Sequence, residues 1–286
     1  MNNGSLIFAH NNRDVDYILL ALISGGLAKK HLNAPVSLVT DSTTLEWAEH
    51  SGIYTKVKEV FDQVILVNKP KTDNKRNLHD GTEKKSIDFT NTNRCSAYEL
   101  SPYDRTLLLD SDFLIFSNRL AQYWDVDEPI MVAYAMNDIC SQQRMGYHDR
   151  YVSDTGAHLL WATTVMFSKD SYSELFFDLV NQVKQNYQYY ADLFRFDPRQ
   201  FRNDIAFGVA KHILDGFEHI DQFSLPSLLT VQDKDILHSV RGDKLTFLVS
   251  TNFNQNYILA STQGVDVHVM NKQSIVRNKE FLLELI

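Results

Sequence analysis

The stretch YDRTLLLDSDFLIF, residues 103–116, brings two carboxylates, one residue apart, to the end of an apolar run and then continues with more apolar residues. The run reads as a buried strand. In an extended chain Asp110 and Asp112 fall on the same side, with Ser111 pointing away. Two carboxylates placed so repel one another unless a cation sits between or beside them, so their spacing invites a divalent metal. The alternative is that one aspartate caps the next turn and the other is solvated.

The chain before this stretch alternates strand-like and helix-like segments. SLIFAH (5–10) is a short apolar run ending in Asn11 and Asn12. In the segment 14–32 after it, Val15, Ile18, Leu19, Leu22 and Ile23 recur at helical spacing and Lys29, Lys30 and His31 fill the last turn. APVSLVTD (34–41) repeats the strand signal, Thr43 and Glu46 have the spacing of a capping box, and Gly52 should end that helix. VFDQVILVN (60–68) is a third strand. Such alternation predicts an α/β fold with a mainly parallel central sheet and helices on both faces, in which the strand before Asp110 lies centrally. Ligands of open parallel sheets bind beyond the carboxyl ends of strands, where Asp110 and Asp112 fall.

Residues 68–93 hold almost nothing apolar and read as a long loop: a lid, a binding loop, a disordered segment or a solvated connection. A short helix with Arg94 follows. The second half is less regular. PIMVAYAM (129–136) and HLLWATTVMFS (158–168) read as strands, and Ser171 with Glu174 signals a helix bearing Leu175, Phe176, Leu179, Val180 and Val183. A further helix carries Phe201, Ile205, Val209 and Ile213 and ends at Gly216. Strand-like LTFLVS, NYILA and VDVHVMNK close the chain. With no internal repeat and no evident linker, residues 1–286 read as one domain.

Composition narrows the function. The 286 residues are 44% hydrophobic and 22% charged, as in a globular protein with a sizeable core. The formal charge of −8 and the lack of a Lys/Arg cluster interleaved with aromatics exclude a nucleic-acid partner. Two cysteines, Cys95 and Cys140, do not make an oxidised scaffold, which points to a reducing, cytoplasmic setting. The N-terminus lacks the charged and apolar regions of a secretory signal, and no apolar stretch approaches the ~20 residues of a membrane span.

The motif also has a family resemblance. A helix bearing Arg94, YDR at 103–105, an apolar strand and then DSD at 110–112 resemble, part for part, the GT-A fold glycosyltransferases, most nearly family 8, the glycogenin and lipopolysaccharide galactosyltransferase type. HVMNKQSI supplies His268 and Lys272, similar to that family's C-terminal metal and phosphate ligands, though its Gly and K-P-W are absent here. The resemblance implies a hexosyltransferase that takes its sugar from a nucleotide diphosphate sugar, most readily a UDP-sugar, and passes it to a hydroxyl on a carbohydrate, lipid-linked or protein acceptor. Asp110, Asp112 and His268 would hold the ion, and the imidazole favours Mn²⁺ over Mg²⁺. His268, in a strand alternating with valines, would otherwise face solvent. Ser111, Lys272 and Arg94 would serve the donor, with Ala9, His10, Asn11 and Asp41 toward its base and ribose; turn chemistry explains the last two equally. Trp161, Thr163 and Thr164 would meet the acceptor, or Trp161 would be core. Asn203 and Asp204 take the place of the family's D-Q pair near the sugar, and Asp204 would also serve as a helix N-cap. No general base stands out, which is compatible with retention of configuration. On this reading residues 1–116 form the nucleotide-sugar half and 117–286 the acceptor half. The rivals are a non-catalytic nucleotide-sugar-binding protein of the same fold and a haloacid dehalogenase-type phosphatase, whose D-x-D usually closes the first strand.

Overall fold

The computed structural model describes residues 2–70, 74–80, 83–140, 144, 150–217, 224–251 and 256–286. From the N-terminus, β1 (Asn3–Phe8), α1 (Tyr17–Leu32), β2 (Val36–Thr40), α2 (Ser42–His50), α3 (Tyr54–Val60) and β3 (Gln63–Leu66) form the expected alternation. Two helix starts lie where a carboxylate outcompetes the neighbouring hydroxyl. Asp41 in extended conformation, rather than Thr43, caps α2 by accepting from the Thr44 amide, and Gly52 (φ +77) turns the chain away after it.

Residues 68–93, read as a loop, instead contain an antiparallel hairpin of β4 (Lys75–His79) and β5 (Lys84–Asp88), in register Arg76↔Ile87. Residues 71–73 and 81–82 of that stretch lie outside the described residues. A 3-10 turn, Arg94–Ser96, leads into α4 (Ala97–Leu100), β6 (Arg105–Leu109) and β7 (Phe113–Leu114). Then come β8 (Ile130–Ala133), β9 (Met136–Asp138), β10 (Trp161–Ser168), α5 (Ser171–Gln185), α6 (Tyr187–Phe194) and α7 (Asn203–Leu214). Asp170, not Ser171, caps α5. The chain closes with β11 (Leu228–Val231), β12 (Ile236–Arg241), β13 (Lys244–Ser250), β14 (Tyr257–Gln263), β15 (Val267–Val269), α8 (Lys272–Arg277) and α9 (Lys279–Leu283).

The fold is mixed α/β. Its main sheet runs β3-β2-β1-β6-β10-β8, with β3, β2, β1 and β6 parallel and β10 antiparallel to both its neighbours. Every residue of β6 is buried, as TLLL demands. A second sheet, β7-β15-β11-β9, stands beside the D-x-D turn, and a third, β12-β13-β14, is antiparallel.

Packing sets the two halves of the site. Helix α1 is buried along most of its surface rather than one face, because β1, β2 and β7 and the helices α2, α3, α8 and α9 all pack against it. Phe167, Phe176, Phe177 and Phe207 join β10, α5 and α7 in edge-to-face contacts of 4.7–5.8 Å, each ring burial contributing about 1.5–3 kcal/mol. That cluster fixes the N-terminus of α7. Gly208 of α7 comes so near the chain entering β10 that a Cβ there would lie 2.4 Å from the His158 carbonyl oxygen.

Candidate active site

At the end of β6 the chain turns sharply, and three elements hold the turn. The Asp110 amide donates to Thr163 O (2.9 Å) of β10, the Val269 amide of β15 donates to Asp112 O (3.0 Å), and Ser24 of α1 donates to Phe113 O (2.8 Å). Because β15 pairs with β7 in register His268↔Phe113, His268 is drawn beside the aspartates. It is 6% exposed, so it does not face solvent. Its Nε2 lies 3.4 Å from Asp112 Oδ1.

Lys272 opens α8, whose cap Asn271 is itself tied to Asp235 O at 2.7 Å. The Lys272 Nζ reaches Asp112 Oδ2 at 2.5 Å. Burial would push the Lys272 amine down, but Asp112 outweighs it and raises it. Asp112 responds reciprocally: burial favours its neutral form, yet Lys272 and His268 hold the carboxyl well below the usual carboxylate range. Arg94 pairs with Asp110 and donates to Ala162 O at 2.5 Å. Its burial brings the guanidinium down to about 10.

These side chains face a cavity of about 350 Å³. Of the residues singled out in the sequence, Arg94, Asp110, Ser111, Asp112, Trp161, Thr163, Asn203, Asp204, His268 and Lys272 line it. Asn203 and Asp204 lie in the first turn of α7. The cap there is Arg202, with no side-chain capping bond, so Asp204 is not the N-cap. Asp204 is instead paired with Arg202; burial favours its neutral form, but Arg202 outweighs that and lowers its pKa.

Five others are buried outside this lining: Ala9, His10, Asn11, Asp41 and Thr164. His10 Nδ1 lies 2.7 Å from Asp41 Oδ2, and Asn11 Oδ1 accepts from the Ile18 amide. Thr90 and Asn91 bond the His10 backbone, so the segment after the hairpin closes over the end of β1. The cavity wall has aromatic and apolar groups elsewhere, at Phe8, Tyr17, Ile87 and Phe89, and a further cation at Arg76. Sequence reading missed these. The traces of the hairpin in the sequence were Leu78, Ile87 and Phe89 in a polar stretch and the turn-forming pair Asp80-Gly81.

The donor set fits a divalent ion. Asp110, Asp112 and His268 each offer a ligand atom, all within 4.8 Å of one another, and His268 Nδ1 is buried with no partner among the described residues.

No family model and no curated protein matches the chain. Among solved structures it is similar to the apo form of the glycosyltransferase GlyE of Streptococcus pneumoniae TIGR4 (15% identity, 78% of this chain and 45% of that one, TM-score 0.41). It is also similar to the galactosyltransferase LgtC in complex with donor and acceptor sugar analogues (17% identity, 72% and 70%, TM-score 0.41), and to TarS 1–349 of S. aureus (14% identity, 73% and 55%, TM-score 0.34). The chain spans under half the length of the GlyE structures. Among the described residues no helix is long and apolar enough to cross a membrane.

Proposed function

We propose that the protein is a metal-dependent glycosyltransferase of the GT-A, family 8 type, moving a hexose from a UDP-sugar or related nucleotide sugar to a hydroxyl acceptor with retention. The observation that carries this is the convergence of Asp110, Asp112 and His268 on one cavity with Arg94 and Lys272 bound to the same two carboxylates. Anion-holding and cation-holding groups share one spot, as a metal-bound diphosphate requires. When bound, a divalent ion held by Asp110, Asp112 and His268 would act as a Lewis acid toward the diphosphate.

Transfer breaks the bond between the anomeric carbon and a phosphate oxygen and forms one to the acceptor oxygen. Negative charge gathers on the departing diphosphate, where Lys272 and Arg94 stabilise it by charge-assisted hydrogen bonds. Asp204, kept ionised by Arg202, is a weak base and serves by accepting hydrogen bonds from sugar hydroxyls. The acceptor proton then leaves with the diphosphate, in keeping with retention. Trp161 and Thr163 form the acceptor side.

The test is a thermal-shift screen against UDP, GDP, ADP and CDP, each with Mn²⁺, Mg²⁺ or EDTA. A ligand at 100 times its Kd stabilises the native state by ~2.7 kcal/mol. A shift for one diphosphate that requires the ion is expected; no shift with any pair refutes the reading. Turnover of the matching nucleotide sugar separates an enzyme from a binding protein, and inertness toward a generic phosphomonoester separates it from a phosphatase.

A further inference from the structure

Four cationic side chains line the cavity: Arg76, Arg94, Arg202 and Lys272. Three are committed to carboxylates, Arg94 to Asp110, Arg202 to Asp204 and Lys272 to Asp112. Among the described residues Arg76 has neither an ion pair nor a side-chain hydrogen bond. Its guanidinium carbon lies 3.8 Å from the centre of the Phe89 ring, a contact that offsets part of its lost hydration and leaves its N–H groups unspent. Burial lowers the pKa of its guanidinium, which is half-buried.

The position of Arg76 is fixed. Strand β4 is paired with β5, and β5 is fastened to the loop before α1 by Lys85 with Asp14 and by Asn12 Nδ2 donating to Asp88 O at 2.6 Å. The carbonyl of Asp14 in turn accepts from Gln273 at 2.7 Å, the residue after Lys272. The hairpin and the lysine of α8 are thus tied to one loop.

Charge decides what Arg76 is for. The cavity holds four cations, named above, against four carboxylates, Asp110, Asp112, Asp204 and Asp233, and is balanced as it stands. A divalent ion and the doubly charged diphosphate of a nucleotide sugar arrive with no net charge and keep that balance. An additional anionic group on the sugar would not. A guanidinium also presents a planar fork matched to two phosphate oxygens.

Resting on the donor-site reading above, we propose that Arg76 binds the diphosphate, so that the hairpin is a functional wall of the donor site. The experiment measures the affinity of UDP by calorimetry and of uridine by saturation-transfer NMR, with Mn²⁺, for wild type, Arg76→Gln and Arg76→Lys; GDP, ADP or CDP with its nucleoside replaces the pair where that base is the one bound. Arg76→Gln is expected to weaken the diphosphate at least about tenfold and leave the nucleoside unchanged. Arg76→Lys, which keeps the charge and the contact with Phe89, should recover part of that loss. An unchanged diphosphate affinity in Arg76→Gln overturns the assignment, as does an equal loss for nucleoside and diphosphate in both variants. Wild-type protein that binds none of the four diphosphates overturns the donor-site reading itself.

Discussion

Replacing Asp112 with Asn conserves shape and removes one charge from a closed pair. Asp112 is 2% exposed, and its oxygens lie 2.5 Å from Lys272 Nζ and 3.4 Å from His268 Nε2. The variant leaves the Lys272 ammonium in the same place without a counter-charge, and breaking a buried pair from one side costs about 3–5 kcal/mol. The Lys272 side chain is 19% exposed, which favours the lower end, about 3 kcal/mol. At roughly 2–4 °C per kcal/mol for a domain near this size, Tm falls by roughly 6–12 °C. Lys272→Met strands the carboxylate instead and destabilises for the same reason. The double variant buries neither charge and should recover at least about 2 kcal/mol of the summed losses. Urea unfolding of the four proteins closes the cycle. Single effects that add to within about 0.5 kcal/mol would show that the two groups do not depend on each other and would refute this account of the site.

Asp110 is more exposed and, among the described residues, its side chain is partnered by one arginine, so Asp110→Asn should abolish ion-dependent sugar transfer while lowering Tm far less than Asp112→Asn; parallel activity and melting measurements check both. Gly208→Ala drives a Cβ toward the His158 carbonyl oxygen and should cost about 1–3 kcal/mol in urea unfolding. His10 is fully buried and burial lowers its pKa against the pull of Asp41. The unfolded state therefore takes up a proton first as pH falls below ~6.5, and stability present above that value is lost on the way down to the folded pKa. His10→Asn should flatten this slope between pH 7 and 5, and a slope equal to that of wild type would contradict it.

The parts of the site legible in sequence are those encoded by local contrast. Two carboxylates closing TLLL mark the end of a buried strand, and an imidazole between valines marks a position that must be either solvated or employed. Three further findings were not legible, two of them because they depend on distant chain. His10 and Asp41 lie at strand ends as expected, yet Thr90 and Asn91, some eighty and fifty residues further on, bond over the end of β1. Arg76 belongs to a hairpin whose strands carry mostly polar side chains, so neither periodicity nor composition announces it. Helix starts were misplaced by one or two residues because an aspartate and a hydroxyl both cap well. The extended backbone of Asp41 and of Asp170 shows which one prevails.

The antiparallel insertion of β10 into the main sheet has a consequence for synthesis. Strand β1 pairs with β2 almost at once, but its other edge waits for β6, roughly 100 residues later. Strand β6 then waits for β10, roughly 50 residues further, from Leu109 to Trp161. At about 5–20 residues per second on a ribosome, the apolar edge of β6 is bare for roughly 3–10 s. A nascent chain stalled in that interval presents the strand that leads into Asp110 and Asp112 as an open pairing surface. The strand that leads into the candidate site is thus open to mispairing while the protein is being made, as the second edge of β1 is for about twice as long.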